Sequence, residues 1–147
     1  MKKIIIFCAL ATVIIACNKD KFKTEPQVEI KSLSPDKAYK GDLITLRAIV
    51  RDKEGDIKDS VFVVRKVFTG TNVKVDTLRY TLKAFGSPYK NEIELNVIFS
   101  YGELRDGYIF QNLENIDKDF SVGLIVRDTS GHKSPYVESN KIVLQKL

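Results

Sequence analysis

Apolar and polar residues alternate through most of the chain after residue 27, and this period of two predicts strands. Two rows are the clearest, and each falls on one face of a predicted strand. They are Ile44, Leu46, Ala48 and Val50 in the first strand, and Phe120, Val122, Leu124 and Val126 in the second. Because successive side chains of a strand point to opposite faces, these rows are predicted to face a buried core.

Turn residues divide the alternation into short segments, and the turn at 69–72, which contains Gly70, is predicted to join two of them as a hairpin. We predict strands near 28–33, 43–51, 60–68, 73–82, 93–101, 120–126 and 140–147, with a further short segment at 108–110. The segment 60–68 is apolar on both parities, as a central strand is, although Arg65 and Lys66 leave its inward face undecided. Seven or eight strands without a helical crossover predict an all-β fold, an antiparallel β-sandwich. A single open sheet with one apolar face is the alternative.

The N-terminus follows a different pattern. Two lysines precede residues 4–16, an apolar run of 13 residues that only Thr12 interrupts. A helix that crosses a bilayer needs about 20 apolar residues, so this run is predicted to be a signal sequence and not a stable span.

The end of this run, Ile14-Ile15-Ala16-Cys17, resembles a bacterial lipobox. The resemblance implies that Cys17 becomes the first residue of the mature chain and carries a diacylglycerol thioether and an acylated amine, with chains such as palmitate. Two or more chains make such an attachment lasting. By resemblance to lipoproteins of diderm bacteria, Asn18 indicates the outer membrane, with a domain facing either the periplasm or the medium. A buried cysteine in an uncleaved segment is the alternative.

These patterns divide the chain into three parts: a signal peptide at 1–16, a lipidated cysteine and tether at 17–27, and a single domain at 28–147. The tether is charged and contains Pro26. Fully extended, it reaches about 35 Å from the membrane. Since Cys8 is removed and Cys17 carries lipid, no internal disulfide is expected.

Charge argues against one class of partner. The chain carries 24 Lys and Arg against 19 Asp and Glu, and loss of Lys2 and Lys3 leaves 22 against 19. The basic residues are spread along the chain, so nucleic acid is not an expected partner.

Two stretches bear on the fold more specifically. Residues 41–57, with the strings GDLITL and VRDKEGDI, and residues 120–131, FSVGLIVRDTSG, resemble bacterial immunoglobulin-like domains of the PKD and cadherin-like kind. The resemblance implies an immunoglobulin-like sandwich, although the tryptophan and the paired cysteines of antibody-type domains are missing. Such a fold does not define an activity.

Residues for catalysis are scarce. His132 is the only histidine and lies in a turn between Ser130 and Ser134, where neighbouring side chains seldom reach attack geometry. The sequence has no glycine-rich phosphate loop and no zinc-ligand spacing. We therefore expect no enzymatic activity.

An acidic turn is the best candidate for an ion site. Asp52, Glu54 and Asp56 surround a glycine, and Asp128 joins them if its turn lies at the same end of the sandwich. Carboxylate oxygens are the ligands that calcium takes from a loop. The alternative is a solvated acidic turn, which Lys53 and Lys58 favour.

Two isoleucines suggest a docking surface. Ile49 and Ile98 lie on the outward parity of polar faces, in strands that share a sheet in an immunoglobulin-like order. Such a patch is a candidate contact for an envelope protein or an extracellular ligand, although single exposed apolar residues are also normal. The sequence therefore favours a membrane-anchored, non-catalytic binding module of the cell envelope. The alternative is a structural spacer or accessory subunit of an envelope complex.

Overall fold

The computed structural model describes residues 24–57, 59–82 and 91–146. In chain order the strands are β1 (Gln27–Ser34), β2 (Lys37–Ala38), β3 (Leu43–Arg51), β4 (Ser60–Thr69), β5 (Asn72–Thr81), β6 (Glu92–Tyr101), β7 (Ile109–Gln111), β8 (Lys118–Arg127), β9 (Val137–Glu138) and β10 (Ile142–Leu144). They form two sheets, in the orders β1-β3-β6-β7 and β2-β10-β8-β4-β5, and β9 pairs with β8. The described residues contain no α-helix.

The four-stranded sheet is built around the antiparallel pair of β3 and β6, which keeps one register from Leu43 opposite Ser100 to Arg51 opposite Glu92. Its inward row in β3 is fully buried, as the alternation predicts. Ion pairs of Arg47 with Glu94 and of Arg51 with Glu92 lie on the outer face. The sheet therefore has one apolar face and one charged face.

The six-stranded sheet places β4 between β5 and β8, which explains why 60–68 is apolar on both parities. Glycine supplies the turn to β5: Gly70 has φ of 57°, and Thr69 pairs with Asn72 to close the hairpin. The structure also decides the inward face of β4. Val61, Val63 and Val67 are buried, and Arg65 shares their parity.

The core fills the space between the inward faces of the two sheets. Phe99 of β6 and Phe120 of β8 meet edge to face at 5.7 Å between ring centroids. Tyr101 is buried beside them, and its hydroxyl donates to the carbonyl of Gln145 (2.8 Å) and accepts from the amide of Glu114 (3.1 Å). These contacts join the sheets at the end where β6 finishes.

The predicted sandwich is confirmed, with differences in detail. The short segment predicted at 108–110 is β7, and the strands number ten because β2 and β9, which were not predicted, have two residues each, too few to show a period in the sequence. Two pairings are parallel, β2 with β10 and β6 with β7, so the sandwich is not wholly antiparallel. The last strand covers only Ile142–Leu144, and β1 begins at Gln27.

The first strand begins at a defined end of the sandwich. Gln27 pairs with Arg51, directly before the acidic turn, and the turn after β8 lies at the same end because Thr129 donates its amide to the carbonyl of Asp56 (3.2 Å). We call this the proximal end. The β4–β5 turn and the loop after β6 lie at the opposite, distal end.

Candidate functional site

The structure brings three of the four predicted acidic ligands together at the proximal end. Asp52 and Asp128 are buried, whereas Glu54 is exposed on the turn. Asp56 spans the two turns, since one of its carboxylate oxygens accepts from the hydroxyls of Thr129 and Ser130, each at 2.8 Å. The sequence-predicted turn is thus a hydrogen-bonded corner between the two sheets.

The carboxylate oxygens of this corner differ in their hydrogen bonding. Asp52 Oδ2 accepts from the amide of Asp56 (3.1 Å), whereas Oδ1 of both Asp52 and Asp56 is buried without a hydrogen-bond partner among the described residues. Asp128 uses both of its oxygens on His132, at 2.8 Å to the amide and 3.0 Å to Nδ1. In residues 24–57, 59–82 and 91–146, no three His, Cys, Asp or Glu side chains are grouped so that they can hold a metal ion. The calcium site stays a prediction.

The two turn carboxyls have opposite pKa shifts. Burial raises the pKa of Asp52, and the adjoining carboxyl of Asp56 raises it further. Burial acts the same way on Asp56, but hydrogen bonds from the hydroxyls of Thr129 and Ser130 to its carboxylate outweigh it and lower the pKa. Because folding raises the pKa of Asp52, its contribution to stability is complete below the ordinary value of 3.8 and is lost as pH rises through the raised value. The pKa of Asp56 is lowered, so its contribution to stability is complete above 3.8 and is lost as pH falls through the lowered value.

The two predicted docking isoleucines share a sheet but are not neighbours. Ile49 is opposite Glu94, and Ile98 is opposite Thr45. Four register positions separate them, about 13 Å along the strands, and both side chains are half-buried. Their joint role as a patch stays a prediction.

The predicted lipid site lies outside the described residues, as do residues 1–16 and 18–23. No helix in the described part of the chain is both long enough and apolar enough to cross a bilayer.

A further site, which sequence reasoning missed, lies along one open side of the sandwich, between β5 and β6. We call it the edge cleft. Its proximal half is a cavity of about 310 Å³ lined by Val61, Val63, Tyr80, Leu95, Asn96, Val97, Ile98, Gly107, Tyr108 and Ile109. Tyr80 and Tyr108 are partly exposed at its mouth, whereas the valines and Leu95 of its floor belong to the buried core.

The edge cleft exists because one sheet is incomplete along β6. The strand β7 pairs with β6 only from Phe99 to Tyr101, so the segment Glu92–Ile98 has no strand on that side within the described residues. Across the cleft stands β5, the last strand of its own sheet. The inward side chains of the open β6 segment therefore border a gap between β6 and β5 at the side of the core.

Arg65 crosses the cleft and separates its two halves. Its Nη1 donates to the carbonyl of Phe110 (2.8 Å) and to Oε1 of Gln111 (3.3 Å), and its Nη2 pairs with Asp76 of β5. The side chain is only 16% exposed, and Nε is buried with no hydrogen-bond partner among the described residues. This guanidinium thus ties β7 to the six-stranded sheet.

The distal half of the edge cleft is polar. It is a second cavity of about 310 Å³, lined by Arg65, Val67, Lys74, Val75, Asp76, Gln111, Asn112 and Glu114. Lys74 and Asp76 lie on the inward parity of β5, opposite Val67 and Arg65. In the distal half, charged side chains thus lie at inward positions, whereas apolar core side chains form the floor of the proximal half.

Only one signal in the sequence pointed to this cleft. Arg65 interrupts an apolar row, and a charged side chain on an inward face is costly to bury unless it is paired or hydrogen-bonded. Those partners come from β5 and β7, which are 11 and about 45 residues away along the chain. Their positions follow from the topology and not from any local pattern.

Comparisons with known proteins identify no family for the chain. No protein-family model and no curated protein matches it. Among solved structures it is similar to the sporulation control protein Spo0M of Bacillus subtilis, with TM-score 0.46, 11% identity, and coverage of 84% of this chain and 50% of that one. It is also similar to murine CRIg (TM-score 0.38, 10% identity, 84% and 98% covered) and to a conjugative transposon lipoprotein of Bacteroides eggerthii (TM-score 0.35, 14% identity, 78% and 96% covered).

The chain thus spans half the length of the Spo0M structure it matches. All of these TM-scores are below 0.5, and the likenesses carry no argument about function.

Proposed function

We propose that the chain is an envelope lipoprotein, anchored through Cys17, whose sandwich is a non-catalytic binding module. The single observation that carries the binding role is the edge cleft. Its proximal half is concave and mainly apolar, and it has the volume of a small binding site. Partly exposed tyrosines at the mouth suit such a role, because tyrosine offers a large apolar surface and a hydroxyl.

The anchor supports the same role through geometry. The first strand begins at Gln27 at the proximal end, so a tether of ten residues from Cys17 leads to that end. The cleft opens along the side of the sandwich at β6, and β3 separates that strand from β1. A partner in the same compartment therefore has access to it while the domain stays tethered.

Anchoring is tested by replacing the lipobox cysteine. Cys17→Ser is expected to abolish incorporation of labelled palmitate and to release the protein from membranes, because only a thiol accepts the diacylglycerol. The matched control is Cys8→Ser, which lies in the segment to be removed and should leave both measurements unchanged. Equal labelling of the Cys17→Ser variant and the parent would contradict the anchor.

Binding through the cleft is tested in intact cells. A photoreactive phenylalanine analogue at Tyr108 is expected to give a discrete crosslinked adduct, because that side chain lines the proximal cavity. The control position is Tyr39, which is more exposed at 56% but lies in the β2–β3 turn, outside the cleft. Equal adducts at both positions, or none at Tyr108, would favour the spacer role over a binding module.

A further inference from the structure

The open segment of β6 has backbone hydrogen-bonding groups that no strand in the described part of the chain uses. The backbone amide and carbonyl groups of odd-numbered β6 residues point toward β3. At the two ends of the strand, the carbonyl of Asn91 accepts from the amide of Asp52 (2.8 Å), and the amide of Tyr101 donates to the carbonyl of Asp42 (3.0 Å). Since directions alternate along a strand, the amide and carbonyl groups of Glu92, Glu94 and Asn96 face the edge cleft. No strand pairs with them within the described residues.

From this geometry we infer that the edge cleft binds an extended peptide segment of a partner protein, which adds to β6 as a further strand. A strand is the occupant that matches an alternating row of donors and acceptors, while apolar side chains at every second position fit a cavity beside it. The cavity floor is formed by Val61 and Val63 from one sheet and Leu95 and Val97 from the other. The inference rests on the proposed binding role and names its ligand.

The two edges that border the cleft differ in their suitability for strand addition. Inward-pointing charges guard an edge against pairing with another chain. The edge of β5 carries two, Lys74 and Asp76, whereas the inward positions of the open β6 segment are Ile93, Leu95 and Val97. The β6 edge is therefore the receptive one.

Charge and size define the occupant further. The outward side chains of the open segment include Glu92 and Glu94, which repel acidic residues on an added strand and favour basic or neutral ones. The segment of seven residues is about 23 Å long. A peptide of that length buries on the order of 1,000 Å² in total, enough for a transient contact but less than a stable dimer needs. We therefore assign a peptide segment, and not a second copy of the domain.

The test uses the full mature chain in detergent micelles and a synthetic probe. The probe is a peptide of about nine residues in which valine alternates with threonine between terminal lysines. We expect it to bind and to slow hydrogen exchange at the amides of Glu94 and Asn96, with no change along β5. Absence of binding, or protection only elsewhere, would overturn the inference.

Asn96→Pro is the decisive variant. Proline removes an amide that faces the cleft and leaves the bonds from β6 to β3, so affinity should fall about tenfold. Thr77→Pro is the matched control. The amide of Leu82 donates to the carbonyl of Asp59 just before β4, so the amides of even-numbered β5 residues face β4 and those of odd-numbered residues, such as Thr77, lie on the free edge. That variant should bind within about twofold of the parent. Should Asn96→Pro fail to fold, a probe N-methylated at alternate amides replaces it and should bind the unaltered protein as weakly.

The outcomes separate this inference from the broader proposal. If the crosslinked adduct at Tyr108 forms in cells but is equally strong in the Asn96→Pro variant, the strand-addition inference fails and the binding module stands. If the probe protects Glu94 and Asn96 but no adduct forms in cells, the strand site is real and the proposed cellular role fails.

Discussion

Replacement of Arg65 by methionine tests whether the bridge across the edge cleft stabilises the fold. Methionine keeps an unbranched side chain of similar length and loses the guanidinium, which contacts the carbonyl of Phe110, Oε1 of Gln111 and the carboxylate of Asp76. Two effects oppose each other. The variant loses hydrogen bonds from a charged donor, but it also removes the cost of burying Nε without a partner.

The magnitudes favour a net loss. Two hydrogen bonds from a charged group to neutral acceptors contribute about 3–6 kcal/mol together, and relief of one unsatisfied donor returns about 1–3 kcal/mol. The ion pair with Asp76 adds little, because that carboxylate is 46% exposed and is solvated again once the partner is gone. We therefore expect Arg65→Met to lower the free energy of unfolding by about 2 kcal/mol.

Urea unfolding of the mature chain in detergent measures this difference. Asp76→Asn is the control, since it removes the charge of the half-exposed partner and keeps both bonds to β7, and it should cost less than about 1 kcal/mol. Hydrogen exchange should show the loss at β7 first, because Arg65 is the link from Phe110 to the other sheet. An Arg65→Met protein as stable as the parent would refute the reasoning, since burial of the charge would then outweigh its bonds.

Three further predictions concern other parts of the fold. Asp52→Asn should raise stability near pH 7 and lose this advantage toward about pH 3, because the amide stays neutral beside Asp56. Thermal unfolding of the parent and the variant, with calcium and with chelator, shows whether an ion binds between the two carboxyl groups. A higher unfolding midpoint in calcium for the parent alone would support the ion. Tyr101→Phe should cost about 1–3 kcal/mol in urea unfolding, because two backbone groups lose their partner; an unchanged midpoint would contradict that. Gly123→Ala should displace the Tyr136 ring, which lies 2.2 Å from an added methyl carbon, and an unchanged fluorescence of that tyrosine would argue against the contact.

The sequence predicted the parts of this fold that local patterns determine. The buried rows of β3 and β8 follow from a period of two, and the β4–β5 hairpin follows from a glycine turn between two strands. In both cases the residues that decide the structure lie close together in the chain or repeat in a simple pattern. The sequence left open whether the acidic turn and the turn after β8 lie at the same end, and the bond from the amide of Thr129 to the carbonyl of Asp56 shows that they do.

The edge cleft could not be predicted because it depends on which strands are neighbours. A short segment at 108–110 was predicted, but nothing in the sequence indicates that β7 pairs in parallel with β6 over three residues only, or how much of β6 it leaves open. The docking isoleucines illustrate the same limit. The shared sheet of Ile49 and Ile98 was predicted correctly, but their separation depends on a register that the apolar pattern leaves undetermined.

Topology also gives meaning to charges that were ambiguous in the sequence. In the sequence, the alternating charges Lys74 and Asp76 indicate only that β5 is exposed. In the structure β5 is the last strand of its sheet, and the same charges protect its free edge from pairing with another strand. Apolar residues in the equivalent positions of β6 have the opposite consequence, because they leave the other border of the cleft unprotected. Conversion of Val97, which is buried on the cleft floor, into a guard charge would disrupt the core. The open β6 segment therefore has no equivalent of the charges that guard β5, and no strand within the described residues covers it.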